Sequence, residues 1–266
     1  MYGRTTATAG LETCQRFRDS APLNQYIGPA GLYNTGTNLL YELLLRNCHG
    51  VGEENRPRPQ WQVPWGKHKP VSWRGNYISL PRYKLQDQTA GLPVVLIKDP
   101  LTWLMSMCRN RYEVSFWADN GKLGELHCPH LANKGAEGAL KVRVTYEKDL
   151  VTHHESLIHL WNKWYEDWLD VEFPRLLVRF EDLLFAQEQT VRQICSCAGG
   201  VMRDEYQGME DTSKPHGGGG GRSAALERYG SVEKRVEGFT DQEMDFIRQH
   251  ASQRVLDLFH YFIPES

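Results

Sequence analysis

Three short segments carry residues whose types and spacing could do chemistry. The first is "GLYNTGTNLL", residues 31–40, in which Gly31 and Gly36 stand at the G-x-x-x-x-G spacing of a phosphate-cradling loop. A nucleoside triphosphatase would place a lysine next, where this chain has Thr37. At a helix N-terminus the aligned backbone N–H groups and the helix dipole bind anions. Thr35, Thr37 and Asn38 add short side-chain donors. Without the lysine, the β- and γ-charge of a triphosphate is poorly compensated, so an anion with less charge at its far end suits the loop better. Taken alone, the two glycines also describe a turn before a helix.

The second segment is "WGKHKP", with His68 between Lys67 and Lys69. An imidazole with a pKa near ~6.5 can take a proton from an alcohol at neutral pH, and flanking ammonium groups favour its neutral form. The third is "KDPLTWLMSM", in which Ser106 follows Lys98 by eight positions, about two helical turns. A cation and a hydroxyl so placed can hold a monophosphate dianion. Each has a plainer alternative: a surface or core histidine, and a solvated lysine at the end of a strand.

The flanking patterns say which elements must position these residues. Tyr26-Ile27-Gly28 is a short strand candidate before the glycine loop, and "NLLYELLLRNC" is apolar nearly all round, as a buried helix would be. "WQVPWGKHKP" (61–70) predicts a strand ending in a cationic turn. "LPVVLIKDP" (92–100) is a β-branched run without alternation, which predicts a parallel strand covered on both faces. Asp99-Pro100 then opens a helix running through "LTWLMSMCRNRYE". "HHESLIHLWNKWYEDWLD" has helical spacing, "RLLVRF" (175–180) predicts a strand, and Glu181-Asp182 starts another helix. Residues 203–223, with glycines from 217 to 221, predict a mobile loop. Thr240-x-x-Glu243 is a capping box for a last helix carrying Met244, Ile247, Val255 and Leu258. Alternating strands and helices predict a three-layer α/β fold of the P-loop nucleotide-binding type, with a central parallel sheet and helices on both faces. Ligands then sit beyond the carboxyl ends of the strands, where the three segments meet.

The chain has 266 residues, 40% of them hydrophobic, enough for one domain with a single large core. A net charge of −2 gives no global case for nucleic acid. No apolar run reaches the roughly 18 residues of a membrane span, and the N-terminus lacks the apolar stretch of a signal peptide. The expectation is a cytoplasmic protein, or the Golgi-lumenal catalytic part of an anchored one. The six cysteines are scattered and form no C-x-x-C pair, which reads as free thiols in a reducing compartment; no metal-ligand pattern appears.

Together the segments resemble the sulfotransferases that use 3′-phosphoadenosine 5′-phosphosulfate (PAPS). In that family a P-K/R-S-G-T-T/N-type loop cradles the 5′-phosphosulfate. Asn34-Thr35-Gly36-Thr37-Asn38 takes its place here, with Asn34 where the family has a cation. The K-x-H-x-P turn of the cytosolic branch, whose histidine is the general base, is similar to Gly66-Lys67-His68-Lys69-Pro70, with the lysine shifted by one. Lys98, Asp99, Pro100 and Ser106 match the register of the R-x-P strand end and the serine that bind the 3′-phosphate. "VRFEDLLF" looks like the family's Y/F-E-D-L segment. In "RYGSVEKRVEGFTDQEMDFI", Arg228 and Gly230 would stand in the R-x-G stretch that closes over the nucleotide. The likeness spans roughly residues 25–262.

The resemblance implies metal-free, in-line transfer of SO₃ from PAPS to an acceptor hydroxyl or amine. His68 would take the proton, and Lys67 or Lys69 would supply the cation that Asn34 does not. Arg56, Arg58, Lys67, Lys69 and Arg74 would favour an anionic acceptor or be a solvated basic face. Trp61, Trp65 and Trp73 would stack on a sugar or an aromatic acceptor, or pack as scaffold. Two other classes stay open: a P-loop kinase, which Thr37 argues against, and a binding module that keeps nucleotide affinity without turnover.

Overall fold

The computed structural model describes residues 5–20, 25–49, 59–76, 88–117, 141–148, 150–210 and 221–265. Its largest sheet has four strands: β1 (Thr8–Ala9), β2 (Tyr26–Gly31), β4 (Gly91–Ile97) and β8 (Leu176–Arg179), in the order β1-β8-β4-β2. β2, β4 and β8 run parallel, whereas β1 is antiparallel to β8. β3 (Cys48–His49) pairs with β9 (Val201–Met202), and β5 (Val114–Trp117), β6 (Lys141–Glu147) and β7 (Leu150–His154) form a three-stranded antiparallel sheet.

This overturns the expected central parallel sheet of the P-loop type. The described residues are mixed α/β, with one mixed sheet and two small antiparallel ones. Two sequence features explain the difference. Residues 61–70 form turns rather than a strand, because Pro64 and Pro70 cannot donate to a ladder and Gly66 adopts φ +102°. In β6, Val142 and Val144 are buried while Arg143 is exposed, an alternation that suits a half-covered antiparallel sheet.

β4 lacks alternation because both its faces are buried. Val95 and Ile97 join one apolar cluster with Trp103, Trp161 and Phe259, and Val94 and Leu96 join the other with Leu40, Leu43 and Ile194. Ten α-helices occur among the described residues: α1 (Cys14–Asp19), α2 (Thr37–Asn47), α3 (Pro100–Arg109), α4 (Leu157–Leu169), α5 (Asp182–Phe185), α6 (Gln187–Cys197), α7 (Gly221–Gly230), α8 (Val232–Val236), α9 (Asp241–His250) and α10 (Gln253–Phe259). α3 stops at Arg109, short of the expected Glu113. The Thr240–Glu243 capping box is present with both halves. The last helix is nonetheless two, since Ala251 is extended and Ser252 caps α10, which leaves Leu258 exposed.

The expected loop at 203–223 is irregular over 203–210 and gives way to a helix at its far end. Gln207 exchanges hydrogen bonds with the Asn47 side chain at 2.7 and 2.9 Å, Met209 is buried, and Gly221 already begins α7. Residues 211–220 lie outside the described residues, as do Arg56 and Arg58. The free-thiol reading is overturned as well. Cys14 pairs with Cys197 and Cys48 with Cys195, Cys108 is disulfide-bonded, and no cysteine among the described residues is free. The fold brings together cysteines 183 and 147 positions apart, which local spacing cannot reveal. No described helix is long and apolar enough to cross a membrane.

Candidate functional site

The glycine loop leaves β2 at Gly31 and enters α2 at Thr37, with Gly36 at φ +86° as its N-cap. A Cβ on Gly36 would lie 2.5 Å from the Phe180 ring, and one on Gly31 2.5 Å from Thr35 Oγ1. Both glycines are therefore sterically required. Asn34 holds φ +64°, which a short amide side chain tolerates. Its Nδ2 donates to the carbonyls of Asn110 (2.8 Å) and Ser106 (3.3 Å), so its amide ties the loop to α3. The Thr35 hydroxyl is turned inward, donating to the Leu32 carbonyl at 2.7 Å. What remains for an anion is the N-terminal turn of α2, where Gly36 brings no side-chain cap, with Thr37 and Asn38 as its first residues.

The 61–70 segment reaches the loop without being a strand. Gly31 N–H donates to the Lys67 carbonyl at 2.8 Å and Val63 N–H to the Pro29 carbonyl at 3.2 Å, so the turn is stitched along β2. Lys67 Nζ donates to Asn38 Oδ1 at 2.7 Å and lies 3.7 Å above the Trp61 ring. His68 Nδ1 is 2.7 Å from the Gly31 carbonyl oxygen, and its ring sits 4.6 Å from Tyr33, which stacks on Tyr112. Lys69 is different: it is buried and ion-paired with Glu147. That pairing engages its ammonium with a carboxylate of β6. Trp65 is 1% exposed within the core, which removes it from the acceptor-stacking candidates; Trp61 is exposed and Trp73 half-buried.

At the end of β4, Lys98 is buried and donates to Ser106 Oγ (2.8 Å) and Tyr229 Oη (2.9 Å). The expected Lys98–Ser106 pair is thus in contact. Asp99 caps α3 through Thr102 N–H and forms a buried ion pair with Arg235. The Lys98 ammonium holds the Tyr229 phenol below its usual range, against the upward pull of burial, which is the largest influence on it. Arg109 is pushed below the usual guanidinium range by burial first, then by the positive Arg228. Arg228 is exposed, and Gly230 has no steric need for glycine, since a Cβ there would meet Phe185 at an ordinary 3.5 Å.

One rim therefore gathers the glycine loop, Lys67, His68, Lys98 and Ser106 at the ends of β2 and β4, with Arg228 near Arg109 at its margin. Sequence reasoning missed Tyr229, Arg109, Tyr33 and Tyr112. Arg109 follows Ser106 by three positions on one helix, which places them on one face, and Tyr229 stands between two residues already singled out. Tyr33 and Tyr112 are brought together only by the fold. No protein-family model matches the chain, and neither does a curated protein or a solved structure.

Proposed function

We propose that this chain is a PAPS-dependent sulfotransferase that acts on a hydroxyl or amine of an acceptor, a carbohydrate or an anionic small molecule. The observation that carries the reading is the rim itself. It joins an imidazole oriented by the Gly31 carbonyl, an uncapped helix N-terminus with Lys67 on Asn38, and Lys98 on Ser106. The close approach of Gly31 to Thr35 and of Gly36 to Phe180 leaves no room for a Cβ, so the two glycines fix the path of the loop into α2.

PAPS would supply the sulfuryl group, with adenosine 3′,5′-bisphosphate leaving. The N–H groups of residues 35–38 and the Thr37 hydroxyl hold the 5′ end, helped by the dipole of α2. Lys67 takes the place of the cation absent at Asn34. Lys98 and Ser106, with Arg228 and Gly230 at the margin, hold the 3′-phosphate side. His68 accepts the acceptor's proton at Nε2, because a neutral imidazole with Nδ1–H on a carbonyl keeps its lone pair there. The disulfides favour an oxidising compartment such as the Golgi lumen over the cytoplasm.

The test pairs ligand stabilisation with turnover. Adenosine 3′,5′-bisphosphate is expected to raise the Tm, and ATP with Mg²⁺ to raise it little. Labelled PAPS is expected to transfer to at least one member of a panel of saccharides and carboxylate-bearing alcohols. Stronger stabilisation by ATP would indicate a kinase. Stabilisation by the bisphosphate with no transfer would indicate a binding module.

A further inference from the structure

The buried ammonium at the end of β4 is short of acceptors. Lys98 is 2% exposed, and two of its three N–H groups go to the neutral oxygens of Ser106 and Tyr229, at 2.8 and 2.9 Å. No carboxylate among the described residues bonds it. The two acids beside it are engaged elsewhere: Asp99 pairs with Arg235, and Glu181 accepts from the Asp99 N–H (3.1 Å) and the Tyr261 hydroxyl (3.0 Å). A buried charge is costly unless it is paired.

Two more cations stand at the same place. Arg109 follows Ser106 by three positions, on the same face of α3. Arg228 precedes Tyr229 on α7. Lys98 bonds both Ser106 and Tyr229, so the two helices bring their guanidiniums to one end of the rim. The Arg228 charge bears on Arg109, after burial as the larger cause, and the Tyr229 phenol acts on it the other way. Both guanidiniums are exposed, and neither has a hydrogen bond or ion pair among the described residues. Like charges so gathered oppose one another until an anion lies between them. A terminal phosphomonoester brings about −1.5 to −2 charges and three acceptor oxygens. A guanidinium matches two of those oxygens with parallel N–H groups.

We infer that Arg109 is the specificity-determining residue of this end of the rim. With Arg228 it grips a terminal phosphomonoester dianion seated on the Lys98 ammonium, and it makes the site prefer a nucleotide that carries such a phosphate to one that lacks it. The inference rests on the nucleotide-binding reading of the rim and not on sulfuryl transfer.

Calorimetry on the full chain at pH 7.5 compares adenosine 3′,5′-bisphosphate with adenosine 5′-monophosphate, which lacks the phosphate in question. The parent should bind the bisphosphate about tenfold or more tightly than the monophosphate. Arg109→Ala should weaken the bisphosphate by about tenfold and leave the monophosphate within about twofold. Arg109→Lys should restore part of the loss, since it keeps the charge but not the fork. The ligand-free Tm of Arg109→Ala should equal or exceed the parent's, because a like charge near Arg228 is gone. A guanidinium that only serves the C-terminal end of α3 would instead lower the Tm and leave both affinities alone, and that result overturns the inference. It is also overturned if neither nucleotide binds the parent, or if the two bind it alike. Transfer from labelled PAPS is measured separately. If no acceptor is sulfated while Arg109→Ala shifts the bisphosphate as stated, the inference stands and the transferase reading falls. If transfer proceeds and Arg109→Ala keeps the parent's KM for PAPS and its bisphosphate affinity, the transferase reading stands and the inference falls.

Discussion

His68 and Gly31 are joined through the imidazole Nδ1 and the backbone carbonyl oxygen, 2.7 Å apart. A carbonyl only accepts, so Nδ1 carries the proton and Nε2 the lone pair. The ring is further held against Tyr33 at 4.6 Å. His68→Ala should therefore lower sulfuryl transfer by on the order of 10²–10⁴. Affinity for adenosine 3′,5′-bisphosphate should be unchanged, because in the proposed reaction the imidazole serves the acceptor. Turnover near the parent rate would move the base elsewhere.

Lys98 lies on Ser106 and Tyr229, at the end of the strand whose pattern was plainest in the sequence. Contacts to the 3′-phosphate are far from the transferred group, so they stabilise ground and transition states alike. Lys98→Ala should raise the KM for PAPS roughly tenfold to a hundredfold and leave kcat largely intact. It should also lose discrimination between PAPS and the donor lacking the 3′-phosphate. Steady-state kinetics with both donors decide it, and an unchanged donor preference removes Lys98 from the site.

What was legible in the sequence follows from what is local. β4, α3 with Asp99 as its cap, and the Thr240–Glu243 box are written in patterns spanning a few residues, and they form where those patterns lie. The 61–70 segment misled because its aromatic and β-branched residues have strand propensity, whereas its prolines and Gly66 forbid a ladder. The β5–β6–β7 sheet and the disulfides depend on distant segments meeting, which periodicity does not report. Within the candidate site, the types and order of Lys67, His68, Lys98 and Ser106 were readable. That Lys69 is paired with Glu147 was not, since the partner comes from β6, far along the chain.

Glycine spacing makes a sharper claim once the surroundings are known. Gly36→Ala forces a side chain into φ +86° and against Phe180 at 2.5 Å, so the loop must shift. The left-handed backbone alone costs roughly 1–2 kcal/mol. Stability and bisphosphate affinity should both fall. Gly230→Ala meets only an ordinary 3.5 Å contact and should leave the Tm nearly unchanged or slightly raised, as a helical Gly→Ala change does. Equal losses in the two variants would contradict the steric account.

Half-buried His154 and buried Glu181 set opposing pH dependences. His154, depressed to about 4 chiefly by burial, binds fewer protons folded than unfolded between about 4 and 6.5, so its contribution to stability is lost as pH falls through that window. Glu181 is pushed up to about 7 by burial first and by Asp99 second, so between about 4.5 and 7 the folded chain holds the extra proton and stability is lost as pH rises. In the parent chain the two slopes partly cancel. His154→Gln should tilt the Tm upward on acidification from pH 7 to 5, and Glu181→Gln should tilt it downward. Calorimetric scans at both pH values test the signs, and parallel profiles for the two variants would refute them.

Two of the disulfides end on α6, where Cys197 holds α1 through Cys14 and Cys195 holds β3 through Cys48. They close separations of 183 and 147 residues, so each removes much of the freedom of the unfolded chain. A bridge of this kind typically contributes about 2–4 kcal/mol. In a domain of this size, losing one should lower the Tm by roughly 5–15 °C. The Cys48→Ala/Cys195→Ala double variant should show that drop when compared with the oxidised parent. The oxidised parent should resist a maleimide until it is reduced. Reduction should also spread the loss to the contact between α1 and α6, read as earlier proteolysis at the N-terminal segment. If the native chain instead labels at Cys14, Cys48, Cys195 and Cys197 and its Tm ignores reductant, the thiols are free, and the case for an oxidising compartment falls with the bridges.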